Sequence, residues 1–180
     1  MKKINIIIKD LRKKGFSIIP NFISHKKCNY YINELNKALN KRIKNNYYIG
    51  NRNTQVLYNY FIENPNLTKL FSDNYIDKIM KKLIDDDYVL ISAAARNKKI
   101  FNLNRHSFKK SLASGNKWHT DNRYVSERAL KPSINYFSIT CLDKFTQNNA
   151  ATKYIPNSHL YSKKLEKKKK SNYKYIEAEK

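Results

Sequence analysis

The spacing of apolar residues changes near residue 88, and this change constrains the fold more than any other feature of the sequence. Before residue 88, apolar side chains recur every three or four residues, as they do along one face of a helix. The longest such stripe predicts a helix over residues 25–44, with Ser24 as its N-cap. After residue 88, apolar residues form short runs rich in β-branched and aromatic types, which are typical of strands. The stripe comprises Cys28, Tyr31, Ile32, Leu35 and Leu39.

Shorter segments complete this division into a helical part and a strand part. Residues 1–14 are consistent with a short helix or strand, and an extended piece is predicted from Gly15 to Pro20. Asn64 and Pro65 have the pattern of an N-cap followed by a proline at the first helical position, and two short helices are predicted from there. Strands are predicted over residues 88–95, 134–142 and 151–155, with a long loop over residues 97–117. Helices followed by strands indicate an α+β domain, with helices packed outside an antiparallel sheet or barrel.

The length of 180 residues suits one hydrophobic core, so a single domain is expected over residues 1–180. A hydrophobic content of 41% can fill such a core and is not the composition of a disordered protein. Cys28 and Cys141 are expected to be buried free thiols. The apolar run near the N-terminus is too short for a signal peptide, and no run approaches the length of a membrane span. We therefore expect a cytoplasmic protein that has no membrane partner.

The net charge of +23 leaves two explanations open. Thirty-seven Lys and Arg against 14 Asp and Glu is a balance typical of proteins that bind nucleic acids. However, the excess is mostly Lys and accompanies abundant Asn, Ile and Tyr, so a genome rich in A/T codons also explains it. The sequence contains no helix-turn-helix, zinc-finger or RNA-recognition pattern. We therefore expect no specific nucleic-acid partner.

The tetrapeptide at residues 118–121 offers a candidate metal site. His119 and Asp121 are two residues apart, so on an extended strand their side chains project to the same side. A His and a carboxylate so placed can occupy two adjacent corners of an octahedron. One distant His would then complete the 2-His-1-carboxylate triad of non-haem Fe(II) oxygenases. By itself the H-x-D pattern is weak, because it arises by chance in many proteins.

Two further segments lie where one family of such oxygenases has its motifs. Residues 142–160 (LDKFTQNNAATKYIPNSHL) resemble the pattern L-D-x-x-T-x-x-N-G-x-x-x-x-x-P-G-S-H and follow the H-x-D after about twenty residues. Residues 15–24 (GFSIIPNFIS) resemble its opening G-F-x-x-[IV]-x-x-[FL]-[IL]-[ST], which precedes a long helix. Over about residues 11–160, the chain thus resembles the phytanoyl-CoA dioxygenase-like family of Fe(II)/2-oxoglutarate-dependent oxygenases.

The resemblance implies a double-stranded β-helix, which is a jelly-roll or cupin-like barrel, with the N-terminal helices packed on it. Residues 1–87 would be the mostly helical front part, residues 88–160 the first part of the barrel, and residues 161–180 a Lys-rich loop and the start of further strands. The resemblance also implies that His119 and Asp121 bind Fe(II), that 2-oxoglutarate is the cosubstrate, and that a small molecule is hydroxylated. Related halogenases lack the carboxylate ligand, so the presence of Asp121 favours hydroxylation.

The sequence departs from the family pattern at several positions. Ala150 and Asn157 stand where the family has Gly; Asn tolerates the left-handed backbone conformation, whereas Ala tolerates it less well. No His or Arg follows His159, although the family's distal His ligand and its 2-oxoglutarate-binding Arg lie beyond that segment. We expect a chain truncated at its C-terminus, with these two residues encoded past codon 180. The alternative is an incomplete fold that has lost the chemistry and binds a partner.

The predicted strand over residues 134–142 offers a candidate cofactor pocket. Asn135, Phe137 and Ile139 share one face with Cys141, and we predict that this face lines the 2-oxoglutarate pocket, with Asn135 as a polar contact. The alternative is that the same face belongs to the hydrophobic core.

Residues around the predicted site are expected to have supporting roles. Trp118 should pack beside the iron ligands, and the resemblance places His159 in a turn beside the site as a structural or substrate-facing residue. The run Lys163–Lys170 is either a solvated loop or a basic lid, and a lid of this charge suits an anionic substrate. The sequence predicts no particular oligomeric state.

Overall fold

The front part of the chain is built mainly from helices. The structure, a computed structural model, describes residues 2–45, 49–51, 54–98, 118–119, 133, 135–149, 151–161 and 172–178. Its α-helices are α1 (Ile4–Lys14), α2 (His25–Lys44) and α3 (Asn74–Leu83), and 3₁₀ helices cover Tyr60–Ile62 and Pro65–Leu70. A hairpin of β1 (Ile49–Asn51) and β2 (Thr54–Tyr58) also lies in this part, and it was not predicted from the sequence.

Helix α2 has the predicted bounds, and its cap and apolar stripe explain them. The Ser24 hydroxyl accepts a hydrogen bond from the Lys27 amide at 3.4 Å, and basic residues in the last turn complement the helix dipole. The stripe contributes Tyr31 and Leu39 to the larger of two hydrophobic cores. The buried members of this core are Tyr31, Ala38, Leu39, Leu57, Tyr60, Leu67, Leu70 and Ala93.

The smaller core joins the N-terminal segment, which is helical, to α3. Ile7 and Ile8 of α1 are buried against Ile79 of α3. Burying one such side chain stabilises the fold by roughly 1.5–3 kcal/mol. The hydroxyl of Tyr75 in α3 also donates a hydrogen bond to the Lys2 carbonyl, so the two helices are held together at the start of α1 as well.

The two short helices predicted after Asn64 are confirmed. The Asn64 side chain accepts a hydrogen bond from the Asn66 amide at 3.0 Å, and Pro65 occupies the first helical position. Asp73 caps α3 in the same way, accepting from the Tyr75 amide at 2.8 Å. The first of the two helices is a 3₁₀ helix and the second an α-helix.

A three-stranded antiparallel sheet places β2 between β1 and β3 (Ala94–Lys98). The strand predicted over residues 88–95 is wrong for most of its length, because β3 begins only at Ala94. The ladder ends there because β2 turns away at Asn59, whose φ is 50° and whose amide donates to the Ala93 carbonyl at 2.7 Å. The apolar residues before β3 are therefore exposed: Val89 by 78%, Leu90 by 52% and Ile91 by 76%.

A second, two-stranded sheet pairs β4 (Thr152–Tyr154) with β5 (Lys174–Ile176), which confirms the strand predicted over residues 151–155. Phe145 and Ala178 extend the pairing by exchanging two backbone hydrogen bonds of 2.9 Å. The strand predicted over residues 134–142 is wrong for residues 135–142, which adopt no regular structure. A strand needs a backbone partner as well as suitable side chains, and no other described residues pair with this segment.

The described residues thus form an α+β fold with helices and two small antiparallel sheets, as predicted. In these ranges the strands close no barrel. Both cysteines are free; Cys28 is buried, whereas Cys141 is only partly buried. Burial raises the pKa of the Cys141 thiol. Within the described ranges, no helix is both long enough and apolar enough to cross a membrane.

The carboxylate of Asp10 on α1 makes the stability of the fold pH-dependent. It receives hydrogen bonds from Lys14 at 2.8 Å, from Lys2 at 2.5 Å and from Ser17 at 3.1 Å. These bonds hold the pKa of Asp10 well below its ordinary value of 3.8, with the bond from Lys14 contributing most. The stability contributed by the ionised group is therefore present above about pH 4 and is lost as the pH falls towards the lowered pKa.

We expect Asp10→Asn to be less stable than the wild type at pH 7, with the difference narrowing as the pH falls below 4. Urea unfolding at a series of pH values measures this. Asp87→Asn is a suitable control, because Asp87 is exposed and makes no ion pair with any described residue. A constant difference between Asp10→Asn and the wild type across the whole range would contradict the prediction.

Candidate active site

The segment of the predicted iron ligands is held to the second sheet by an aromatic contact. The rings of Trp118 and Tyr173 have centroids 5.8 Å apart, so Trp118 packs against the residue that precedes β5. His119 follows and is exposed to solvent. Asp121, the second predicted ligand, lies outside the described residues. The contact fixes the position of the segment, while the His119 imidazole stays accessible.

Trp118 is one member of an aromatic and cationic cluster on the second sheet. Tyr173 and Tyr175 are two residues apart and lie on one face, with ring centroids 5.7 Å from each other. The ammonium group of Lys153 on β4 lies 4.9 Å from the Tyr173 ring centroid and 5.5 Å from that of Tyr175. Such contacts contribute about 0.5–1 kcal/mol at exposed positions. The alternation of Tyr at residues 173 and 175 was the sequence signal for this cluster, and it was not recognised.

The T-x-x-N part of the motif forms a loop that is closed by its own side chain. The Asn149 oxygen accepts hydrogen bonds from the amide of Thr146 at 2.5 Å and from its hydroxyl at 3.3 Å. The Asn149 amide group also donates to the Lys144 carbonyl. These bonds satisfy backbone groups at both ends of the turn, which explains why Thr and Asn are needed at this spacing. The loop leads directly into β4.

Asn149→Ala should lower the free energy of unfolding by about 1–2 kcal/mol, because it removes the partners of the Thr146 amide and the Lys144 carbonyl. Urea unfolding measures the change. Asn148→Ala is the matched control: it removes the same side chain from the same 3₁₀ helix, but at an exposed position whose side chain makes no hydrogen bond to a described residue. Equal losses in the two variants would contradict the role assigned to Asn149.

The P-N-S-H turn after β4 has the geometry that its sequence predicts. Asn157 adopts the left-handed conformation, with φ 61° and ψ 6°, where the family pattern has Gly. His159 is placed at the end of α1, where its Nε2 lies 3.2 Å from the Arg12 carbonyl oxygen and donates a hydrogen bond to it. His159 thus makes a structural contact, which is one of the two roles that the resemblance implies. Ala150, the other Gly position, lies outside the described residues.

The opening G-F motif packs on this same turn and strand. Gly15 ends α1 with φ 83°, and its amide donates to the Leu11 carbonyl at 3.0 Å. A Cβ on Gly15 would lie only 2.6 Å from Nδ1 of His159. The Phe16 ring meets the Tyr154 ring edge-on with centroids 4.8 Å apart. The structure thus brings together the N-terminal motif and the motif around β4, which are far apart in sequence.

The predicted 2-oxoglutarate face is partly exposed and partly buried. Phe137 and Ile139 are 67% and 64% exposed, whereas Asn135 and Cys141 are partly buried. The alternative was that this whole face belongs to the hydrophobic core. Phe137 and Ile139 are too exposed for that. Its role in binding 2-oxoglutarate stays a prediction.

The donor set present fits Fe(II) in its chemistry. An accessible imidazole followed two residues later by a carboxylate supplies two of the three ligands of a facial triad. Among the described residues, no group of three His, Cys, Asp or Glu side chains could hold a metal ion. The assignment of His119 and Asp121 as ligands therefore stays a prediction that the sequence and the donor chemistry support.

Comparison with known protein families gives one match. The model of the phytanoyl-CoA dioxygenase (PhyH) family matches residues 11–179, which include the opening motif, the H-x-D and the P-N-S-H turn. Comparison with curated proteins and with solved structures gives no significant match. Because the family model matches almost the whole chain, the protein belongs to the phytanoyl-CoA dioxygenase family.

Proposed function

We propose that the protein is an Fe(II)- and 2-oxoglutarate-dependent dioxygenase that hydroxylates a small molecule. The observation that carries this proposal is the family match over residues 11–179, which includes an intact H-x-D. His119 and Asp121 would bind the iron as two of the three protein ligands of the triad. When bound, Fe(II) and 2-oxoglutarate supply the oxidising chemistry, with 2-oxoglutarate converted to succinate and CO2.

The described residues around His119 would serve this chemistry by positioning. Trp118, held against Tyr173, would fix the backbone next to His119. The contacts of Asn149 and His159 fix the loop and the turn on either side of β4. Because a ligand displaced by about 1 Å can weaken a site greatly, these contacts would keep the imidazole and the carboxylate in one geometry.

A cupin-like jelly-roll barrel is the fold that this function implies. Both described sheets are antiparallel, as the sheets of a jelly roll are, and α2 shares a hydrophobic core with Leu57 of β2. The three-stranded sheet and the two-stranded sheet would each be one part of the barrel. We also place the reaction in the cytoplasm, where a reducing environment keeps thiols reduced; Cys28 and Cys141 are both free.

The substrate proposed is a small anion. A chain with net charge +23 attracts anionic ligands, and Lys163–Lys170, which lies outside the described residues, contributes to that charge. An anionic substrate should be turned over with a KM that rises with salt, whereas kcat should change little, because salt screens the attraction.

Formation of succinate from 2-oxoglutarate tests the proposal directly. The protein is incubated with Fe(II), 2-oxoglutarate and dioxygen, and succinate is measured with and without EDTA. We expect succinate to form only when iron and dioxygen are both present. A folded protein that forms no succinate and does not bind Fe(II) would be an oxygenase fold without the activity, which is the main alternative.

A further inference from the structure

A cavity of about 320 Å³ lies between the beginnings of α2 and α3, apart from the segment that carries His119. It is lined by both N-caps, Ser24 and Asp73, and by Lys27, Lys69 and Tyr31. The volume is within the range of small-molecule sites. Two helix N-termini that face one cavity give it a positive field, because each helix dipole has its positive end there.

Neither lysine of the cavity is neutralised by the protein. Lys27 and Lys69 are exposed, and neither forms an ion pair with any described carboxylate. The cavity thus has two cations against the single carboxylate of Asp73, which already accepts a hydrogen bond from the Tyr75 amide. A site with this charge and with donors on several sides favours an anion.

Tyr31 provides an independent indication of a ligand. Its side chain is only 7% exposed, lines the cavity, and makes no hydrogen bond to any described residue. Since no fully buried polar side-chain atom in the described ranges lacks a partner, the Tyr31 hydroxyl keeps some access to solvent, on a residue that lines the cavity. A hydroxyl on a largely buried residue that has no described protein partner makes its hydrogen bonds to water or to a ligand.

We propose that this cavity binds a phosphate group, either as free phosphate or as part of a phosphorylated small molecule. Lys27 and Lys69 pair with its charge, and the hydroxyl of Tyr31 donates a hydrogen bond to one of its oxygens. The proposal is independent of the oxygenase function, because none of these residues belongs to the predicted iron site.

Asp73 explains why phosphate is favoured over other anions. A carboxylate in an anion site repels a ligand that only accepts hydrogen bonds, such as sulfate. At pH 6 about half of a phosphate monoester is the monoanion, since its second pKa is about 6, and this form can donate its proton to the carboxylate. Asp73 therefore selects for an anion that carries an O–H group.

Isothermal titration calorimetry at pH 6 with inorganic phosphate, glycerol 3-phosphate and sulfate tests the proposal. We expect saturable binding of at least one of the two phosphates, and weaker binding of sulfate. Tighter binding of the ester would assign the ligand as a phosphorylated small molecule, and tighter binding of inorganic phosphate would assign free phosphate. Absence of saturable binding by both phosphates would overturn the proposal.

Four variants separate this site from general attraction by the basic surface. Tyr31→Phe should weaken phosphate binding about tenfold, because it removes one hydrogen bond to a charged group. Lys27→Gln and Lys69→Gln should each weaken it about three- to fivefold, as expected for exposed ion pairs. Asp73→Asn should raise sulfate affinity to that of phosphate, since Asn is an equally good N-cap and keeps α3 intact.

Lys26→Gln is the matched control, because Lys26 is the exposed neighbour of Lys27 on α2 and does not line the cavity. It changes the net charge by the same amount and should leave binding unchanged. If Lys26→Gln weakens binding as much as Lys27→Gln, and Tyr31→Phe has no effect, the anion is held by net charge alone and the proposed site is wrong.

Discussion

Replacing His119 by Ala is expected to abolish succinate formation, lowering kcat/KM about a thousandfold or more. The imidazole is one of only three protein ligands in a facial triad, and a bound metal supplies several kcal/mol of catalysis. Each 1.36 kcal/mol corresponds to a factor of ten in rate, so losing the metal removes at least three such factors. Asp121→Ala should have an effect of the same size, because it removes the second ligand.

Loss of iron can be distinguished from loss of the fold. His119 is exposed, so His119→Ala should keep the thermal unfolding temperature within a few degrees of the wild type. Fe(II) binding, measured by calorimetry without dioxygen, should fall together with the activity. His25→Ala is the matched control, because His25 is an exposed His in the first turn of α2. An active His119→Ala variant would show that this residue is not a ligand.

The helical part was predicted well because its signals are local. A cap and a stripe at helical spacing define α2 without reference to the rest of the chain, so Ser24 and residues 25–44 were found from sequence. Asn157 was predicted for a similar reason, because its left-handed conformation depends on the residue type and a short turn.

The strands were predicted less well because they depend on partners that lie far away in sequence. The run at residues 88–95 has strand composition, but β2 leaves the ladder at Asn59, so only the end of the run pairs. The segment Lys174–Ile176 lies in the range where the start of further strands was expected, and it becomes a strand because β4 pairs with it. Composition indicates which segments can be strands, and pairing decides which of them are.

The candidate site, too, was predicted from the sequence only where its signals are local. The H-x-D and the two motif segments were found from sequence, because they are patterns of residue types at fixed spacing. The cavity at Tyr31 could not be found, since Lys27, Lys69 and Asp73 come together only when α2 packs beside the 3₁₀ helix Pro65–Leu70 and α3. The contact of Gly15 with His159 joins residues 144 positions apart and likewise has no local signal.

Gly15→Ala is expected to lower the free energy of unfolding by about 2–3 kcal/mol, through two separable causes. At φ 83° a residue with a Cβ is strained, which costs roughly 1–2 kcal/mol for Ala. The added Cβ would also lie 2.6 Å from Nδ1 and 2.9 Å from Cγ of His159. The exposed His159 ring can move away, but it then loses its hydrogen bond to the Arg12 carbonyl.

A double-mutant cycle separates the two causes. In a His159→Ala background the clash is absent, so Gly15→Ala should cost only the backbone strain, about 1 kcal/mol less than in the wild type. Gly15→Asn in the same background should be nearly neutral, because Asn tolerates the left-handed conformation. Urea unfolding of the set gives each value. Strictly additive losses would mean that Gly15 and His159 do not touch, and that the opening motif requires Gly only for its backbone conformation. A coupling of the expected size would instead show that Gly is needed there because the P-N-S-H turn packs on it, which links two of the three motif segments by direct contact.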